Sequence, residues 1–195
     1  YGSHESMINE LTNYAPSTPY AVTHASIDMT LAAFHARYGF PAVIGRFANF
    51  YGPGQQLYRI IPKTILITHR GLKLPLHGGG LSERSFLFSK DLNTALLALA
   101  EHAQSGQIYN FSSEELISIR ALVEKILIRL GKDPTEYIDI VGERPSKDQK
   151  YLMDSTKAKV DYSWKPQTSL QEGLDETIAW YNQYSTDRKS TRLNS

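Results

Sequence analysis

The sequence predicts an α/β fold, and three observations carry that expectation. A helical pattern over residues 19–38 stops at Gly39, and Pro41-Ala-Val-Ile-Gly-Arg-Phe47 follows at once as a short apolar run that reads as a buried strand. Helix and strand patterns then keep alternating, the order that builds a parallel sheet. A length of 195 residues with 41% hydrophobic content is enough for one domain with a sizeable core, or for parts of two.

Taken in order, residues 3–19 are polar, carry Pro16 and Pro19, and read as a loop. Thr18-Pro19 is a helix start: the hydroxyl can cap free N–H groups, and proline suits the first turn because its missing donor is not needed there. Tyr20 and His24 then lie four apart on one face, with Cβ atoms roughly 5–6 Å from each other. Ala21, Val22, Ala25, Met29, Ala32 and Ala33 give this helix small apolar positions suited to close packing. Asn49-Phe-Tyr-Gly-Pro-Gly54 reads as a loop from its Gly and Pro content.

Residues 60–67 read as a helix with Pro62 in its first turn, and 73–77 and 85–88 as strands separated by Gly78-Gly-Gly80. A helix over 92–102 and a strand over 108–111 follow. Ile119, Leu122, Val123, Ile126, Leu127 and Leu130 have helical spacing behind a Ser118 cap, which makes 119–130 a core-facing helix. Residues 137–141 suit an edge strand and 155–160 a short helix. Ser169-Leu-Gln-Glu172 is a capping box opening a last helix to about 184.

Composition narrows the function classes. With no Cys, disulfides and thiolate metal sites or nucleophiles are excluded. The six His residues show no metal spacing with carboxylates, so no metal site is expected. No apolar run approaches the ~18 residues of a membrane span, and the start lacks a signal-like pattern, so a soluble, cytoplasmic protein is expected. Residues 187–195 resemble a translated sequencing adapter; without them, 21 basic and 20 acidic residues become 18 and 19. There is then no basic surplus and no basic patch with interleaved aromatics, which disfavours a nucleic-acid partner. The start at Tyr1 without an initiator Met leads us to expect a missing N-terminal portion.

Six motifs occur in order: Tyr20-x-x-x-His24; Arg46-Phe-Ala-Asn-Phe-Tyr-Gly-Pro53; Gly78-x-Gly-x-x-x-Arg84; Asp91; Arg144-Pro-x-x-Asp148; and Asp154-x-x-Lys157 with Trp164-Lys-Pro166. Together, over roughly residues 1–184, they resemble the C-terminal part of the extended short-chain dehydrogenase/reductases that act on nucleotide sugars, in particular the dTDP-glucose 4,6-dehydratase-like branch. The resemblance implies the C-terminal part of a Rossmann-type parallel sheet plus a small α/β substrate-binding domain. Residues 1–58 would belong to the Rossmann part with the active-site helix, and 59–184 mainly to the substrate domain, with elements returning to the sheet. It also implies NAD as cofactor, although the Gly-rich phosphate turn that seats a dinucleotide at a helix N-terminus is absent from this chain.

By the same resemblance Tyr20 takes the proton from the sugar C4 hydroxyl during oxidation to a 4-keto intermediate. A phenol of pKa ~10 is only about 0.1% ionised at pH 7, so the step needs a neighbouring cation. The family places a Lys four residues on, which also holds the nicotinamide ribose; this sequence has His24. Tyr20 and His24 are therefore the expected catalytic and cofactor-binding residues. Arg84 and Arg144 match the arginines directed at the substrate diphosphate, a task that suits the planar guanidinium fork. Asn49 matches an amide donor to the same group, and Asp148 an acceptor for a ribose hydroxyl, though Ser146-Lys147 stand where close relatives carry Gly-His.

Each feature also has a bland reading. A Tyr at a helix start, an Asn in a turn and an isolated Arg are ordinary surface residues; Asp91 and Asp154 suit helix starts, and Trp164 and Trp180 suit packing. His77-Gly-Gly-Gly80 is similar to a lipase oxyanion loop, but no Gly-x-Ser-x-Gly turn accompanies it. The expected function is an NAD-dependent nucleotide-sugar 4,6-dehydratase or epimerase, present as an N-terminally truncated fragment inactive alone, with a nucleotide sugar as partner and a homodimer formed through the 19–38 helix. The alternatives are a non-catalytic nucleotide-sugar-binding protein, or an unstable truncated product that aggregates.

Overall fold

The computed structural model describes residues 1, 2, 4, 6–142, 150 and 152–185. After an irregular start, helix α1 covers Pro19–Tyr38. Strand β1 (Ile44–Phe47), strand β2 (Asn49–Tyr51) and helix α2 (Ile60–His69) follow, then β3 (Leu74–His77), a tight Gly78–Gly80 turn, β4 (Glu83–Arg84) and β5 (Phe86–Phe88). Next come α3 (Ser89–His102), β6 (Ile108–Phe111), β7 (Ile117–Ser118), α4 (Ile119–Arg129) and a single turn, α5 (Pro134–Tyr137). β8 (Ile138–Val141), α6 (Thr156–Tyr162) and α7 (Leu170–Ser185) close the described chain.

Three strand pairs are parallel: β1 with β6, β2 with β5, and β3 with β8. The short β4–β7 pair is antiparallel. Parallel pairs connected through helices are the expected α/β fold. Asn49–Tyr51, read from sequence as loop, is instead a strand, with Asn49, Phe50 and Tyr51 opposite Phe86, Leu87 and Phe88. Gly52 and Pro53 mark only where it ends; pairing with a partner 37 residues away overrides the local turn signal.

The helix ends follow their local chemistry. Thr18 accepts a hydrogen bond from the Ala21 amide at 3.1 Å, and Gly39 ends α1 in a left-handed conformation, φ 63°, donating its N–H to His35 O. Ser118 caps α4 through the Ala121 amide. Leu122, Val123, Ile126 and Leu127 on α4 are completely buried and join two apolar clusters, one with α2, α7, β2 and β5, the other with β3. A third cluster packs Phe111 between Phe47, stacked at 5.0 Å, and Trp164, edge-on at 4.9 Å.

The capping box of α7 forms as read: the Glu172 carboxylate accepts from the Ser169 amide and hydroxyl, and Ser169 Oγ accepts from the Glu172 amide. The Ser169 hydroxyl, then its amide, hold the Glu172 carboxyl below the usual carboxylate range. A depressed carboxyl stabilises the fold above its unfolded pKa of about 4.3, and the contribution is lost as pH falls through the lower folded value. Ser169→Ala is therefore expected to lower the thermal midpoint at pH 7 and to flatten its decline between pH 5 and 3, measured by circular dichroism at each pH.

Of the residues of α1 only Ala25 is buried, while Val22, Ile27, Met29 and Phe34 are about half exposed. Most of its apolar side chains stay open to solvent among the described residues.

Candidate functional site

Tyr20 and His24 share one face of α1, with ring centroids 4.4 Å apart and planes inclined by 51°. Thr18 and Pro19 fix where the helix begins, and so put the phenol at its mouth. Both side chains are exposed, Tyr20 at 71%. They border a cavity of about 920 Å³ that is also lined by Asn49, from β2, and Arg84, from β4. Four expected site residues, scattered over 65 positions of sequence, thus face one volume. Arg144 and Asp148 lie outside the described residues.

The cavity is electropositive. Arg46, Arg59 and Arg84 line it against one carboxylate, Asp28, among the described residues. Arg84 donates to the neighbouring Glu83 carbonyl at 2.7 Å. Arg59 sits just before α2, its guanidinium 5.4 Å from the centroid of the Tyr58 ring, which is itself 70% exposed.

Sequence reasoning left Arg46, Asp28, Tyr1 and Tyr14 outside the site, yet they form its most ordered polar group. Arg46 Nε donates to Asp28 Oδ2 at 2.7 Å, with both side chains largely buried. The other two guanidinium nitrogens donate to the hydroxyls of Tyr1 and Tyr14. The Tyr14 hydroxyl in turn donates a hydrogen bond to Asp28 Oδ2 at 3.2 Å, and the Tyr1 hydroxyl donates to Asn110 Oδ1 at 3.1 Å. Burial raises both phenol pKa values, and the positive Arg46 only partly opposes it, so both stay protonated. Burial works against the charge on Arg46, but Asp28 and the phenols outweigh it and raise its pKa. Asp28 was readable as the next step of the Tyr20, His24 stripe; Tyr1 and Tyr14 carry no local signal.

Other sequence-marked residues are structural. Asp154 accepts from the Thr156 amide and starts α6. Asp91 stands in the first turn of α3 but is 2% exposed and accepts from the Gln167 and Thr168 amides at 2.9 and 3.1 Å. Trp164 donates to Asp91 O and Thr94 Oγ1 from within the core. No cluster of three or more metal-ligating side chains exists among the described residues. No helix among them is long and apolar enough to cross a membrane.

A family model described as GDP-mannose 4,6 dehydratase matches residues 1–177. The trifunctional UDP-glucose 4,6-dehydratase/UDP-4-keto-6-deoxy-D-glucose 3,5-epimerase/UDP-4-keto-L-rhamnose-reductase of Arabidopsis thaliana is 34% identical over 175 residues, which are 90% of this chain and 26% of that protein. The dTDP-D-glucose 4,6-dehydratase of Mus musculus is 32% identical over 185 residues, 92% of this chain and 52% of that protein. Among solved structures, a dTDP-glucose 4,6-dehydratase from Bacillus anthracis in complex with NAD superposes with a TM-score of 0.90 at 31% identity, covering 95% of this chain and 59% of that one. The chain thus spans about half the length of these two dehydratases and about a quarter of the trifunctional protein.

Proposed function

The chain belongs to the extended short-chain dehydrogenase/reductase family of NAD-dependent nucleotide-sugar dehydratases and epimerases, and we propose that it carries the proton-transfer and diphosphate-binding half of such an enzyme. The observation that supports this reading most is the convergence of Tyr20, His24, Asn49 and Arg84 on one electropositive cavity. A nucleoside diphosphate sugar has the matching charge, and 920 Å³ lies toward the upper end of small-molecule sites.

In this reading Tyr20 removes the proton of the sugar C4 hydroxyl, and His24, one turn along, orients the phenol. Arg84 and Asn49 hold the diphosphate, with Arg59 as a further cation at the same wall. Arg144 adds a second guanidinium, and Asp148 accepts from a ribose hydroxyl. A phenol and an imidazole bordering the cavity fit the nicotinamide-ribose end of NAD; no Gly-rich turn among these residues fits its phosphates. NAD, when bound, supplies the hydride acceptor for oxidation at C4. Residues 1–58 act as the Rossmann part and 59–184 mainly as the substrate part, and the 195 residues alone are proposed to be inactive. The half-exposed apolar residues of α1 support homodimerisation through that helix, and a cytoplasmic enzyme is the corresponding location.

The test is to incubate the complete protein with NAD and either dTDP-glucose or UDP-glucose and to follow a 4-keto sugar by mass spectrometry. Arg84→Gln should raise KM by about 10- to 100-fold, the loss of one or two charge-assisted bonds, and leave kcat within about threefold. No product with either sugar and no diphosphate-dependent binding would sink the reading. Replacement of the family Lys by His24 favours one alternative, a nucleotide-sugar-binding protein without turnover; tight binding with no product, unchanged by His24→Lys, would establish it.

A further inference from the structure

Tyr20 and His24 are exposed and make few contacts of their own, so their position is the position of α1. The packing that holds this helix is slight, because Ala25 is its one buried residue. At its C-terminal end His35 lies near the Phe40 carbonyl and Ser105 hydroxyl. Toward the cavity the fastening is ionic. Arg46, on β1, grips Asp28, two turns and about 12 Å along the helix from Tyr20. It also grips Tyr14, in the segment leading into α1, and Tyr14 itself bonds to Asp28. Residues 15–27 are therefore a span whose two ends meet on one guanidinium, and Tyr20 and His24 lie inside it. The Tyr1 hydroxyl, bonded to Arg46 and Asn110, anchors the group to β6.

We propose that Arg46, through Asp28 and Tyr14, is a positioning residue that fixes Tyr20 and His24 against the cavity; this rests on the reading of Tyr20 as the proton-transfer group. Its guanidinium serves three oxygens in different directions, which an ammonium on a lysine stem cannot reach together. Arg46 lines the cavity, but its charge is matched by Asp28 and its remaining donors are committed to the two phenols, so its effect falls on placement more than on substrate binding.

The test uses Arg46→Met, Arg46→Lys and Asp28→Asn in the complete protein, with amide hydrogen exchange by mass spectrometry beside steady-state kinetics. Arg46→Met is expected to speed exchange over residues 18–28 by about tenfold or more while α4 and α7 stay as in the wild type. It should lower kcat by about 10- to 100-fold with KM for the nucleotide sugar within about threefold, since small misplacement of a catalytic group costs rate on this scale. Arg46→Lys should not restore kcat, and Asp28→Asn should loosen the same span to a smaller degree. Unchanged exchange over 18–28, loosened exchange with full kcat, or exchange that rises equally in α4 and α7 for both Arg46→Met and Asp28→Asn would each overturn the clamp. If the wild type turns over no nucleotide sugar while Arg46→Met still loosens only 18–28, the reaction reading fails and the clamp on α1 stands.

Discussion

Tyr20→Phe in the complete protein is expected to lower kcat by about 10²- to 10⁴-fold, the usual contribution of a positioned acid or base. KM should stay within about threefold, because the ring remains and only the hydroxyl goes. The substitution is a clean test since Tyr20 is 71% exposed. Nothing in the core depends on it, and the thermal midpoint should not move. A variant that keeps more than a tenth of the wild-type kcat would remove Tyr20 from the proton-transfer role. His24→Lys provides the complementary measurement. An ammonium one turn from the phenol brings a full positive charge that stabilises phenolate, so kcat should rise and the pH for half-maximal rate should fall. If kcat falls instead, His24 fits this cavity in a way the lysine does not.

The second large effect is on stability and comes from Asp91→Ala, expected to cost about 2–5 kcal/mol in urea unfolding. The carboxylate is buried and accepts from two successive backbone amides, Gln167 and Thr168, in the segment that leads into α7. Removing it leaves two donors without their partner; each such group costs about 1–3 kcal/mol when shielded from water, and less at the exposed Gln167, which holds the total below two full costs. Asp91→Asn should fall between, since one of its two terminal atoms becomes a donor facing a donor. The neighbouring Lys90–Glu176 pair is the control. Its ends are 66% and 45% exposed, so Lys90→Met should change stability by about 0.5 kcal/mol or less. A cost for Asp91→Ala no larger than for Lys90→Met would show that the 167–168 amides find other partners.

Asp91 also marks where local reading fell short. Its place at a helix start was visible and is the first turn of α3, but the segment its carboxylate holds lies 76 residues away. Asn49–Tyr51 makes the same point for a strand: loop residues beside it dominated the local pattern, and the partner that decided it is β5.

What the sequence by itself determined was whatever depends on neighbours within about four residues. Thr18, Pro19 and Gly39 bound α1, Ser118 caps α4 and Ser169 pairs with Glu172, because capping is chemistry between adjacent backbone and side-chain groups. The helical spacing of Leu122, Val123, Ile126 and Leu127 named a buried face, because the periodicity records which side meets the core. The tertiary structure alone decided the rest. Parallel pairing joins distant strands through hydrogen bonds that any side chain permits, so partner and register leave little local trace. The Arg46 cluster gathers Tyr1, Tyr14, Asp28 and Asn110 from separate elements, and one guanidinium can do so because its fork of donors points in several directions at once.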